Sequence, residues 1–180
     1  MAASLDIRRL RRDELDRVAE IDRTEHIEVL LVQDGERLIE HHGSWDSLPW
    51  ESDGEGAHSV GARVRELHGY LDLGGVALGA LVDGRVVGIG VVIPRFQQRV
   101  AQLAFLHVSA PWRGTGVGSS LSAQLDDVAR AAGASEMVVS ATPTRNTVAF
   151  YRARGFTPMA HPLDQLIALE PDDVHMHKPL

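Results

Sequence analysis

The chain has 180 residues, 44% of them hydrophobic, a formal net charge of −7 and no cysteine. One domain with a sizeable core is expected, while a disulfide framework, a thiolate metal site and a cysteine nucleophile are excluded. The acidic balance argues against a nucleic-acid face, and the absence of a long apolar run and of a signal-like start leads us to expect a cytoplasmic protein with no membrane partner.

Leu5–Leu10 reads as a short strand. Asp13 follows as an N-cap, with Glu14 and Asp16 in the first turn and Leu15, Val18 and Ala19 at helical spacing. The nearby Arg8, Arg9, Arg11 and Arg12 read as a solvated strand end. Ile21 to Leu31 continues as a second helical piece. Residues 41–56, HHGSWDSLPWESDGEG, have no period and read as a long loop carrying Trp45, Trp50, Asp46, Glu51, Asp53 and Glu55, with Glu40 at its edge. The runs VALGALV and RVVGIGVVI flank Asp83-Gly84, a type I′ hairpin signal. Val100 to Val108 is a further strand. Val117, Leu121, Leu125, Val128 and Ala132 then share one helical face, stopped by Gly133. EMVVSA is a short buried strand, Asn146 caps a helix that runs through Arg154 and is ended by Gly155, and Phe156 onward and Val174–Lys178 supply two last strands. The order β-α-α-β-β-β-α-β-α-β-β makes residues 1–180 one mixed α/β domain.

The stretch WRGTGVGSSL, Trp112 to Leu121, follows a strand and opens a helix. Free amides and the helix dipole at such a start favour an anion, glycine allows its close approach, and Ser119 and Ser120 add hydroxyl donors. A Walker A loop is excluded because Lys178 is the one lysine. The dinucleotide fingerprint G-x-G-x-x-G is excluded because the spacing here is G-x-G-x-G. On the glycine pattern alone, a phosphate site and an empty turn stand level.

Two segments in order bear a resemblance that separates them. LAFLHVSAPWRGTGVGSSL, with R-x-x-G-x-G at Arg113, Gly116 and Gly118, and RNTVAFYRARGF, Arg145 to Phe156, resemble signature segments of the GCN5-related N-acetyltransferase (GNAT) superfamily. The hairpin ALVDGRVVGIGVV is similar to its central strand pair. The resemblance implies a single-domain α/β fold: a mixed, mostly antiparallel central sheet flanked by helices, with a splayed parallel strand pair at the acyl-CoA site. It implies acetyl-CoA as co-substrate, held by Val108, Arg113, Gly114, Thr115, Gly116, Val117, Gly118, Ser119, Asn146 and Tyr151. It also implies that the Val108 backbone N–H meets the thioester carbonyl and that Tyr151 protonates the leaving thiolate. A phenol with an ordinary pKa of about 10 is protonated at neutral pH and can donate. Without a cysteine, direct transfer to a primary amine of a small molecule or peptide is expected.

The general base is open. By period two, Gln102, Ala104, Leu106 and Val108 share a strand face, and Gln102 cannot be a base. His107 falls on the opposite face and reads first as a packed histidine. Glu25, His26, Glu28, Asp46, Glu51 and a water chain remain. Trp45 and Trp50 among carboxylates, with Glu25, suit a cationic acceptor through cation–π and charge contacts. His41-His42 and His175-x-His177 lack metal-ligand spacing, so no metal is expected. A homodimer through edge strands is compatible with such a sheet. A non-catalytic acyl-CoA-binding or sensor domain, and a partner-binding domain with an empty glycine loop, are the alternative readings.

Overall fold

The computed structural model describes residues 4–180. In chain order it contains β1 (Leu5–Arg9), a 3₁₀ helix (Arg12–Glu20), β2 (Glu25–Asp34), β3 (Arg37–Ser47), α1 (Val60–Asp72), β4 (Val76–Val82), β5 (Arg85–Gln97) and β6 (Val100–Val108). A short 3₁₀ turn at Ala110–Trp112 leads to α2 (Val117–Ala131), β7 (Glu136–Ala141), α3 (Arg145–Arg152), β8 (Thr157–Pro158), α4 (Asp164–Leu169) and β9 (Val174–Pro179). Among the described residues no helix is long and apolar enough to cross a membrane.

The Val-, Ile- and Leu-rich runs become buried strands because both sheet faces are covered. Seven strands lie in the order β1-β4-β5-β6-β7-β9-β8, antiparallel except for the β6–β7 pair. The β4–β5 turn has Asp83 and Gly84 at φ of 50° and 78°, as a type I′ turn requires. On one sheet face α2 and α3 bury Val117, Leu121, Leu125, Val148 and Tyr151. On the other, Leu15, Val18 and Leu67 from the 3₁₀ helix and α1 pack on Val86, Ile89, Val91 and Phe105. Leu166 of α4 covers Val138.

The one parallel pair is short. Val100–Leu103 face Glu136–Val139, and there the pairing ends. On the other edge of β6, Val91 faces Phe105 while Val92 faces Leu103, so Ala104 is bulged out of the ladder. A bulge adds twist and bends its strand. Here it sits at the residue after which β6 and β7 part.

That bulge corrects the face assignment. Beyond it the alternation inverts, so Leu103, Leu106 and Val108 share the α2–α3 side, whereas Phe105 packs on the α1 side. Buried Gln102, on the other side of the strand from Leu103, does not share the Val108 face. Residues expected as a second helix form β2 instead. Val29 and Leu31 point inward and His26, Glu28 and Val32 outward, a period of two. The loop over 41–56 is also shorter than expected, because His41 to Ser47 belong to β3. The β2–β3 hairpin docks through Leu31 N–H to Pro143 O at 2.8 Å and through the Gln33 amide. Its Nε2 donates to Met159 O at 3.0 Å and His175 O at 3.1 Å, and its Oε1 accepts from His175 N–H at 2.8 Å.

Helix starts differ too. Arg11, not Asp13, occupies the first cap, with Glu14 Oε2 accepting the Arg11 N–H at 3.0 Å, and the segment is 3₁₀. Thr144, not Asn146, caps α3, its Oγ1 accepting from Thr147 N–H at 3.1 Å. Thr144→Ala is therefore expected to cost about 1 kcal/mol in urea unfolding, while Asn146→Ala, exposed and uninvolved in the cap, stays within about 0.5 kcal/mol. Equal losses would return the cap to Asn146.

Candidate active site

Backbone N–H groups alternate sides along a strand. Ser109 N–H donates to Val87 O on β5 at 2.8 Å. The Val108 N–H and C=O therefore point the other way, into the gap that opens where β7 leaves β6. Arg113 Nε donates to that Val108 carbonyl at 3.1 Å, and its Nη1 donates to Thr24 O at 3.0 Å. The Arg113 side chain thus braces the strand end, and its backbone N–H is bonded to Ala110 O.

The glycine loop forms the start of α2. Gly116 takes the N-cap at φ 96°, a left-handed backbone that favours glycine. The first intrahelical bond runs from Ser120 N–H to Gly116 O at 2.9 Å. The amides of Val117, Gly118 and Ser119 are consequently free of helix partners and stand at the positive end of a 15-residue helix. Gly118 is needed for a second reason: a Cβ there would meet the Phe150 ring at 2.9 Å. Thr115 Oγ1 donates to Trp112 O at 2.6 Å and stabilises the turn. Arg154 brings a guanidinium to the same place: its Nη2 donates to Ser119 Oγ, it stacks over Phe150 at 3.4 Å, and its buried Nε has no partner. Free amides, a helix start and an orphaned guanidinium donor fit a bound phosphate group. Arg154 was not singled out from sequence, although it lies inside the RNTVAFYRARGF segment.

Glu25 joins the two motif segments. Its Oε1 accepts from Asn146 Nδ2 at 3.0 Å and its Oε2 lies 3.6 Å from Arg113 Nη1. Tyr151 is 5% exposed and packs edge-on against Phe150 and Phe156. Burial, with Asp173 nearby, pushes its phenol well above the ordinary range, and Arg154 opposes this. The phenol therefore keeps its proton and is a donor at any physiological pH. Asp173 precedes Val174, which pairs with Ala141 at the end of β7 that β6 has left. Burial, then Glu170 and Asp172, pushes its carboxyl up to about 7. The acid-rich turn EPDDV has no period that would have marked it.

A cleft of about 390 Å³ lies alongside, lined by Thr24, Glu25, His26, Asp46, Ser47, Leu48 and Pro49. Of the expected acceptor-side residues, Glu25, His26 and Asp46 meet here. His26 Nδ1 and Asp46 Oδ1 are 2.7 Å apart, and that hydrogen bond raises the His26 pKa. The two tryptophans are not brought together. Trp45 is exposed on β3 beside Gly43. Trp50 packs against His107, ring centroids 5.7 Å apart, and its face is already taken by Arg23 and Arg63, at 4.6 and 5.4 Å. This corrects the expectation that Trp50 offers its ring to a cationic acceptor. His107 stacks on Phe105 at 4.8 Å, and burial together with Arg63, Arg23 and Arg113 pushes its pKa down to about 3, so it is a neutral packed ring. His175 and His177 bond to Ser140 at 3.0 Å and Glu136 at 2.8 Å as sheet residues.

The model of the acetyltransferase (GNAT) family matches residues 38–156. No curated protein matches the sequence significantly. Among solved structures, nourseothricin acetyltransferase superposes with a TM-score of 0.72 at 17% identity, covering 97% of this chain and 98% of that one. A Bacillus anthracis protein solved in complex with acetyl coenzyme A gives 0.69 at 19% identity, with 98% of each chain covered. PaiA N-acetyltransferase from Thermoplasma acidophilum, in complex with coenzyme A, gives 0.63 at 17% identity, with 98% of this chain and 99% of that one covered. At these identities the likeness is one of fold.

Asp173 yields a pH signature. Its folded pKa, about 7, lies above the ordinary 3.8. The native state is therefore favoured while the carboxyl is protonated, fully so below the unfolded value, and loses that contribution as pH rises through about 7. Asn cannot ionise, so the melting temperature of Asp173→Asn should gain on wild type from pH 4 to pH 8. A constant difference across that range would place the Asp173 carboxyl in the ordinary range.

Proposed function

The chain belongs to the acetyltransferase (GNAT) family, and on that premise we propose that it transfers the acetyl group of acetyl-CoA directly to a primary amine of a small molecule or peptide. The observation that carries the reading is the unpaired Val108 N–H at the edge that β7 leaves, set beside the open amides of α2. An extended pantetheine arm has backbone groups to pair with along β6. Its pyrophosphate has the Val117–Ser119 amides and the Arg154 guanidinium.

Acetyl-CoA supplies the thioester; the chain supplies position and protons. The Val108 N–H is the donor for charge that develops on the carbonyl oxygen. Tyr151, kept protonated by burial, donates to the departing sulfur. Asp173, whose charge acts on Tyr151 and whose carboxyl is pushed up to about 7, is the group we assign to accept the amine proton. Arg113 and Glu25 position these elements, since they link Val108, Thr24 and Asn146. No side chain on β6 is asked to act as base.

Calorimetric titration with acetyl-CoA, CoA and ATP tests the reading. We expect acetyl-CoA and CoA to bind, ATP to bind weakly, and Gly116→Trp to abolish binding with the fold intact by circular dichroism. Failure of the wild-type chain to bind either CoA species would sink the proposal. Once an acceptor is identified in an amine screen, Tyr151→Phe should lower kcat by roughly 10²-fold. An unchanged kcat would remove Tyr151 from the proton path.

A further inference from the structure

The side of β6 that carries Phe105 and His107 holds a cluster of cationic groups that the transfer chemistry does not use. Arg23 and Arg63 both lie over the Trp50 ring, and Arg63 also lies 5.7 Å from the Phe105 centroid. Placing two guanidiniums on one indole in a half-buried site is unfavourable unless something answers their charge. Glu66 answers Arg63 in an ion pair and also accepts from Tyr70 Oη at 2.6 Å, and Glu170 lies within electrostatic reach of Arg63 and Tyr70. Arg113 has Glu25. Arg23 has no carboxylate partner among the described residues. Its Nε and Nη2 donate to the neutral Ser47 Oγ at 3.3 and 3.0 Å, and its Nη1 lies 3.1 Å from His58 Nδ1.

Two further donors are left over in the same cluster. Trp50 Nε1 and Arg63 Nε are buried and bonded to nothing. An unmade hydrogen bond at a buried donor is costly. One uncompensated guanidinium and two orphaned N–H groups share a single missing complement: a group rich in acceptor oxygens and carrying negative charge. We propose that Trp50, Arg23 and Arg63 form an oxyanion-binding site for the acid group of the acceptor.

The position of the cluster defines the acceptor further. Ser47, gripped by Arg23, lines the cleft, and Pro49 of its rim immediately precedes Trp50. Glu25, which pairs with Ser47 across the hairpin, and Asp46, the residue before Ser47, line the same cleft. The cleft thus has the Arg23 guanidinium behind Ser47 and the carboxylates of Glu25 and Asp46 beside it. A dipolar molecule, with an amine at one end and a carboxylate or phosphate at the other, matches both kinds of charge. A polyamine without an acid group matches only one. The link between this site and the acceptor rests on the transfer reading; the oxyanion site itself does not.

The test separates the two. Of the three tryptophans, Trp45 and Trp112 are replaced by Phe so that emission reports Trp50. The protein is titrated with acetate, glycine and inorganic phosphate against sodium chloride of equal ionic strength. Saturable emission changes with the oxyanions but not with chloride are expected, weakened about 10–100-fold in Arg23→Gln. Thermal shifts of the wild-type chain with the same anions should keep the same ranking, which guards against a packing effect of the Phe substitutions. Acetate binding without phosphate binding assigns a carboxylate, and the converse a phosphate. No saturable response to any anion, or an undiminished response in Arg23→Gln, overturns the site. With acetyl-CoA present, turnover of a dipolar amine should exceed turnover of its carboxamide analogue, and Arg23→Gln should remove the difference mainly through KM. Equal turnover of acid and amide overturns the acceptor assignment. Anion binding with no acetyl-CoA binding leaves the oxyanion site standing while the transfer reading falls.

Discussion

Two parallel strands that pair for four residues and then separate are the constraint on which the rest of the molecule depends. Parallel strands side by side would normally continue their ladder, since every unpaired buried amide is a loss. Here Ala104 is bulged at the point of separation, and β9 keeps the far edge of β7 paired to Ala141. β7 is thereby held by its other neighbour. The open edge of β6 becomes a standing set of backbone donors and acceptors. A ligand that paired there would add to the sheet as an extra strand, through backbone groups rather than β6 side chains.

Charge is arranged around that gap in layers. Arg154 and the open amides of α2 give one end a positive character. Arg113 carries a second positive charge directly under Val108, where Glu25 restrains it. The carboxyl of Asp173 sits where burial denies it an easy negative charge, close to a phenol that burial keeps neutral. Each group so placed holds its proton more tightly than it would in water, and burial accounts for most of that. His107 shows the opposite response: crowded by arginines and buried, it stays uncharged.

The central strands and the two motif segments were legible because their local signals agree with their final environment. Asp83-Gly84 demands a left-handed turn, and the valine-rich runs beside it are buried on both faces. The segment from Glu25 to Leu31 was not legible, since Ile27, Leu30 and Leu31 also fall at helical spacing. Only the docking of the hairpin on Pro143 decides for strand. α1 was invisible for a different reason: it buries one residue fully, Leu67, and contains Gly61 and Gly69, so its amphipathic pattern is faint. At the site, Arg113, Gly116 and Tyr151 were singled out by motif and Glu25 by position. The bulge at Ala104, which inverts the face of Gln102, leaves no compositional mark. Neither does the meeting of Arg23 with Arg63, which lie forty residues apart in sequence and are joined by Trp50.

The way the β2–β3 hairpin is fastened has a consequence for how such a protein changes over time. Its anchors are backbone groups of Leu31, Met159 and His175 and the side chains of Gln33, Glu25 and Glu40, the last two bonded to Asn146 and Arg145 of α3. A typical such hydrogen bond contributes on the order of 0.5–1.5 kcal/mol, and of the cleft-lining residues Glu25 takes part while His26 and Asp46 do not. His26 and Asp46 answer to each other rather than to the core. His26 and Asp46 can therefore be rewritten while the grip of the hairpin on the rest of the molecule is retained. Exposed positions along this ribbon can drift one substitution at a time, and the gap between β6 and β7 need not follow.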